Sequence, residues 1–248
     1  MKKTQRLDKI LAHTGFGTRS EIKGLVKRGS VEVNGQTVKD SGMQVDPDRD
    51  RITVDGEQAV FREFVYLMLN KPQGVVSATE DTRDRTVIDL LDDAYRHFDI
   101  FPVGRLDKDT EGLLLLSNDG KLAHNLLSPK KHVPKTYYAI VEGTAPVGES
   151  DAAVFRQGVA LDDGYVTMPA ELTVLKTDTV QGAARSEIEL TIMEGKFHQV
   201  KRMFQAVDKK VTFLKRLSMG PLKLDEELPA GSYRELTGAE LESLKEGR

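Results

Sequence analysis

The chain has 248 residues, 36 Lys/Arg against 39 Asp/Glu (net charge −3), 39% apolar and 30% charged residues, and no cysteine. This is a globular composition with room for two cores, not a disordered or fibrous one; the lack of cysteine excludes disulfides, thiolate zinc sites and a cysteine nucleophile, and makes the cytoplasm the expected location. No apolar run approaches the roughly 18 residues of a membrane span, and no apolar core follows MKKTQRLDK, so neither a membrane anchor nor a signal peptide is expected.

In chain order, the first segment reads helix, helix, hairpin. Leu7, Ile10 and Leu11 have the spacing of a short amphipathic helix, which Gly15 and Gly17 end. Thr18 with Glu21 is a capping-box signature. Ile22, Leu25 and Val26 repeat the helical spacing up to Arg28-Gly29. Val31 and Val33 alternate as a strand, Asn34-Gly35 supplies a type I′ turn, and Thr37-Val38 returns. Ile52 and Val54, before Asp55-Gly56, form a further strand that closes the segment near residue 60. A short linker at 58–63 has neither Gly nor Pro and is not a long flexible tether.

Residues 64–248 mix strands and helices. FVYLMLN is a strand and Lys71-Pro72-Gln73-Gly74 a turn; Thr86 to Leu91 reads as a short helix. Phe101-Pro102-Val103 leads into the loop GRLDKDTEGL, Gly104 to Leu113, and Leu113–Leu116 is a buried strand. Lys121–Leu127 is a helix, Tyr137–Val141 a strand, and Leu172–Leu175 and Glu187–Ile192 are sheet strands. Val200, Met203, Phe204 and Val207 give the helix 198–207 one buried stripe. Val211–Leu217 and Ser232–Leu236 follow as strands, and Thr237 with Glu240 caps a last short helix. No regular long helices separate the strands, so the fold class is α+β with a mainly antiparallel sheet, not a doubly wound parallel one.

The charge is segregated. Residues 1–35 hold eight Lys/Arg and three Asp/Glu, 121–138 four and none, and 195–223 eight and one. Each run alone reads equally as a solvated face; local field decides phosphate affinity, so three such runs beside recognisable motifs point to RNA despite the acidic total.

The string RLDKILAHTGFGTRSEIKGLVKRGSVEVNGQTV resembles an S4 RNA-binding domain along its whole length, which sets the expected domains at 1–60 and 64–248. Such domains lay two helices on structured RNA. The resemblance makes Arg6, Lys9, Arg19, Lys23, Lys27 and Arg28, all on or beside those helices, candidate RNA contacts.

Four strings of the larger segment resemble the motifs of pseudouridine synthases of the RsuA-type branch, which includes the RluB, RluE and RluF enzymes. LNKPQGVVS, Leu69 to Ser77, is similar to the first motif and implies support for the catalytic loop. GRLDKDTEGL implies that Asp107 is the essential carboxylate and that Arg105 lies beside the flipped nucleotide and its phosphates. PKTYYAIV matches the family's Lys-x-Tyr at Lys135 and Tyr137: the tyrosine ring would stack on the base and its hydroxyl accept the C5 proton, with Tyr138 as the fallback. EGKFHQVKRMF places Lys201 where related branches pair an arginine with the aspartate, and sets Arg202 towards RNA. His198 would either contact RNA or serve in capping or packing.

The implied reaction cuts the C1′–N1 bond of a uridine, turns the base and rejoins it through C5. The aspartate either attacks covalently or assists sugar deprotonation. The resemblance implies no cofactor and no metal. It implies ribosomal RNA, or a ribosomal subunit assembly intermediate, as partner, with uridine-516 of 16S rRNA as target. The alternatives are a 23S rRNA target or a non-catalytic S4 protein of ribosome assembly. No membrane partner is expected, and without a coiled-coil seam or long apolar edge the expected state is a monomer.

Overall fold

The computed structural model describes residues 4–180 and 183–247. One unit runs to Val65 and takes in Leu91–Ile100; the other holds Tyr66–Leu90 and the chain from Phe101 onward. Among the described residues no helix is long and apolar enough to cross a membrane.

In the first unit the helices are Leu7–His13 and Arg19–Arg28. The capping box forms as read: Thr18 Oγ1 accepts from Glu21 N (3.3 Å), and Glu21 Oε2 accepts from Thr18 N (2.7 Å). Gly29 ends the second helix at φ +79°, a left-handed conformation that favours glycine. The apolar stripes of both helices close on a four-stranded antiparallel sheet, ordered Gln36–Thr37, Val31–Val33, Ile52–Val54, Glu57–Gln58. Leu7, Ile10, Leu11, Ile22, Val31 and Ile52 are fully or almost fully buried between them. Two things go beyond the sequence reading. Part of the 58–63 linker packs on this core, with Ala59 buried and Phe61 5.3 Å from the His13 ring. Residues 93–98, from within the segment expected to be synthase domain, form a short 3-10 helix whose Phe98 meets His13 edge-on at 5.2 Å.

The second unit is built on a nine-stranded sheet. Its main order is Glu171–Val180, Ala183–Ile192, Lys135–Gly143, Lys209–Met219, Glu111–Ser117, Tyr66–Lys71, Tyr233–Glu235. Phe101–Val103 and Leu222–Lys223 pair off this path. The sheet is antiparallel as expected, except where 209–219 meets 111–117 in parallel. That junction matches Arg216 to Gly112, and it needs glycine: Gly112 has φ +99°, and a Cβ there would run into the Arg216 backbone. The last glycine of GRLDKDTEGL therefore joins the two halves of the sheet.

The helices differ from the sequence reading mainly in length. The expected helix at 86–91 is a single 3-10 turn, Ile88–Leu90, and the one at 198–207 is Gln199–Gln205. The helix Glu149–Gln157 is additional to the expected elements. The final helix, Gly238–Glu246, has its expected cap. Arg234 also pairs with Glu240 (2.8 Å) and Asp225 (2.7 Å), tying this helix to the sheet edge.

Candidate active site

Asp107 lies in the loop between the 101–103 and 111–117 strands, and the LNKPQGVVS segment bolts that loop down. Lys71 is completely buried at the end of its strand, and its ammonium donates to the carbonyls of Asp107 (3.0 Å), Thr110 (2.9 Å) and Pro72 (3.0 Å). Burial lowers its pKa to about 8, against which the carboxylates of Asp109, Asp107 and Glu111 pull upward. Ser77 Oγ accepts from Leu106 N (3.0 Å) and donates to Leu106 O (2.8 Å), and Gly74 N donates to Lys108 O (2.8 Å). The loop backbone on both sides of Asp107 is thus fixed by groups from another strand and turn, leaving its carboxylate partly exposed. The sequence reading assigns Lys71-Pro72 a supporting turn. The structure makes Lys71 itself the central strut, a role spacing cannot show because a lysine is normally an exposed residue.

The carboxylate faces a helix start. Lys201, on the 199–205 helix, donates to Asp107 Oδ2 at 3.1 Å and to Asp109 Oδ1 at 2.6 Å. Burial alone would lower the pKa of Lys201, but the hydrogen bonds to Asp109 and Asp107 outweigh it and hold it above the ordinary lysine value. Asp109 is held below the usual carboxylate range: burial opposes this, and the bond and charge of Lys201 prevail. His198 precedes the helix in the left-handed region (φ +50°) and caps nothing; its Nε2 lies 3.5 Å from Asp107 Oδ1.

Asp107, Lys201 and His198 line a cleft of about 400 Å³, a size that admits one nucleoside-sized group. Its floor comes from neighbouring strands. Tyr137 and Arg216 are cross-strand partners, so their side chains share one face of the sheet, and both line the cleft. Tyr137 is 7% exposed and belongs to the cleft; Tyr138, on the other face, donates to Glu187 Oε2 at 2.7 Å. Register therefore settles which tyrosine faces the cleft. Lys135 is also buried there, bonded to Val133 O (2.9 Å), and burial together with the charge of Arg216 lowers its pKa to about 8. Arg105 lines the same cleft.

Sequence reasoning missed Arg216. It is 2% exposed, donates from Nε to Leu113 O (2.8 Å) and has no hydrogen-bond partner for Nη2 among the described residues. The signal lay in FLKRL, where Leu214 and Arg216 share one strand face and so place a charge beside a buried apolar position.

Arg202 does not line the cleft: its guanidinium pairs with Asp162 and Asp163 (2.7 Å), because the residue after Lys201 turns to another side of the helix. In the first unit Lys9, Arg19, Lys23, Lys27 and Arg28 are exposed. Arg6 is tied to the buried Asp8 at 2.7 Å, so its charge is already partly matched.

Residues 65–206 match the family model described as RNA pseudouridylate synthase, and residues 5–52 match the S4 domain. A Bacillus subtilis protein named as an uncharacterized RNA pseudouridine synthase, YtzG, is 52% identical, covering 97% of this chain and 98% of its own. The ribosomal large subunit pseudouridine synthase B of Bacillus subtilis is 40% identical (97% and 96%), and the ribosomal small subunit pseudouridine synthase A of Vibrio vulnificus 38% (96% and 99%). A crystal structure of a pseudouridylate synthase superposes with a TM-score of 0.65 at 38% identity, covering 96% and 99%.

Proposed function

The chain belongs to the RNA pseudouridylate synthase family, with an S4 domain ahead of the synthase domain, and we propose that it converts a uridine of ribosomal RNA to pseudouridine, at uridine-516 of 16S rRNA. The observation that carries the reading is the Asp107 carboxylate, fixed through its backbone by Lys71 and met at 3.1 Å by Lys201, at the edge of a cleft that also contains Tyr137.

The chemistry assigned to this site needs a carboxylate in contact with the ribose or base of a nucleotide removed from its stack. Asp107 takes that part. Lys201 orients it and keeps a positive charge beside it. Tyr137 stacks on the uracil and takes up the C5 proton. Arg105 and Lys135 hold the nucleotide and its phosphates. The C1′–N1 bond breaks, C1′–C5 forms, N1 gains a proton and C5 loses one, so the reaction is an isomerisation without net redox change. Unstacking a uridine costs a few kcal/mol, which contacts from the cations of the S4 helices offset.

The 16S target is favoured by the HQVKRMF string and by the small-subunit relative, which is aligned over nearly its full length. A 23S target is the second reading, because the large-subunit relative is 40% identical against 38% for the small-subunit one and is aligned over as much of this chain. The substrate is rRNA, free or in an assembling subunit, which places the enzyme, acting as a monomer, in the cytoplasm. The test is tritium release from 16S and 23S transcripts carrying 5-tritiated uridine, followed by chemical labelling and primer extension at the modified base. Release from neither transcript sinks the assignment; a stop elsewhere than position 516 sinks the site.

A further inference from the structure

The segment Glu194–Gln199 holds an aromatic side chain in solvent on a rigid base. Phe197 is 70% exposed, and its ring stacks on His198 with centroids 3.7 Å apart and planes 20° from parallel. Both rings lie at the cleft that contains Asp107. Leaving a phenylalanine in water forgoes roughly 2 kcal/mol of burial, so a loop free to move would fold it inward.

This loop is not free. Buried Glu194 accepts from Tyr165 Oη (2.6 Å), Met168 N (2.8 Å) and Gln199 Nε2 (3.1 Å). Buried Gln199 accepts in turn from Lys196 N (2.8 Å). His198 sits in the left-handed region, which for a non-glycine residue costs about 1 kcal/mol or more. The exposure of Phe197 is therefore built into the fold. Its surroundings state the partner's charge: five Lys/Arg line the cleft against the single carboxylate of Asp107. An apolar ring at the mouth of a cationic cleft fits a nucleic acid base better than an apolar protein surface.

We propose that Phe197, backed by His198, enters the RNA stack when the target uridine leaves it and covers the base that the uridine had covered. Phe197 is then a wedge that offsets the cost of extrusion, not a reacting group. The proposal rests on the reading of the site as acting on a uridine flipped out of RNA.

The test compares two transcripts that differ only in whether the target uridine is paired and stacked or is released by a substitution in the opposite strand. Tritium release gives kcat/KM on each for wild type, Phe197→Ala and Phe197→Trp; the exposed position lets all three fold. Phe197→Ala is expected to lower kcat/KM on the stacked substrate about 5- to 100-fold, the range set by one base stacked on an aromatic ring, and several-fold less on the released one. Phe197→Trp is expected to restore the stacked substrate. Equal losses on both RNAs, or no loss on either, overturn the wedge while leaving the enzyme assignment standing. A wild type inactive on both overturns the underlying reading as well.

Discussion

Lys201 Nζ stands 3.1 Å from Asp107 Oδ2 and 2.6 Å from Asp109 Oδ1, so one ammonium joins two carboxylates of the same loop. An ammonium can serve two acceptors in different directions, where a planar guanidinium would favour one carboxylate in a fork. The fold thus uses Lys201 to set the position of Asp107 relative to its own loop as well as to the helix.

Substitutions should separate charge from position. Asp107→Asn is expected to abolish tritium release with an unchanged unfolding midpoint. Lys201→Met should cost roughly 10²–10³-fold in single-turnover rate, the scale of removing one electrostatic interaction from an active site. Lys201→Arg should stay within about tenfold of wild type, because charge survives and only the double interaction is disturbed. A Lys201→Met variant as active as wild type would remove the ion pair from the mechanism.

Lys71 should matter to stability before chemistry. Lys71→Met leaves the carbonyls of Pro72, Asp107 and Thr110 without their donor, a loss of roughly 3 kcal/mol in urea unfolding, together with most of the activity. The pH dependence has a definite sign. The folded pKa is about 8 and the ordinary value 10.5, so between them the unfolded chain holds more protons and wild-type stability rises with pH. The gap between wild type and Lys71→Met should therefore widen from pH 8 to 10. A constant gap would mean that Lys71 does not titrate there.

Much of this was legible in the sequence, for physical reasons. Periodicity, the capping boxes at Thr18 and Thr237 and the Asn34-Gly35 turn are local signals, and they place most elements. The pairing of Asp107 with Lys201 came from motif resemblance, since nothing local links residues 94 apart. Arg216 and the strut role of Lys71 stayed hidden because a buried cation looks, in sequence, like any surface cation. The pairing of Arg202 was hidden for the converse reason: it stands in the motif, but its acidic partners, Asp162 and Asp163, come from a separate loop. The displaced segment 91–100 was invisible because its core partner, His13, lies in the other sequence domain.

Lys135 should give the enzyme an alkaline limit. It is charged below about pH 8 and neutral above it, because burial first and Arg216 second disfavour its charged form. As the pH rises through 8 the cleft loses a cation, so KM for RNA should rise. Lys201, held above the ordinary lysine value, stays charged and adds no limb in that range. Lys135→Met should show a higher KM at pH 7 that no longer changes between pH 7 and 9. A limb that survives in Lys135→Met would assign the titration to another group.

The S4 helices should supply affinity without chemistry. Lys23 and Lys27 are exposed four residues apart on the 19–28 helix, so both can face one phosphate backbone. Removing one lysine–phosphate pair should reduce the slope of log K against log salt by about 0.7–0.9. Lys23→Gln with Lys27→Gln is therefore expected to flatten the slope by about 1.5, twice that increment, and to leave kcat at saturating RNA unchanged. Arg6→Gln supplies the contrast. Its guanidinium already answers the buried carboxylate of Asp8, which it holds below the usual range chiefly through their hydrogen bond. Removing it should lower stability more than it changes the salt slope. Filter binding across a salt series and urea unfolding of the two variants read both effects. An unaltered slope in the double variant would move the RNA-binding surface away from this helix.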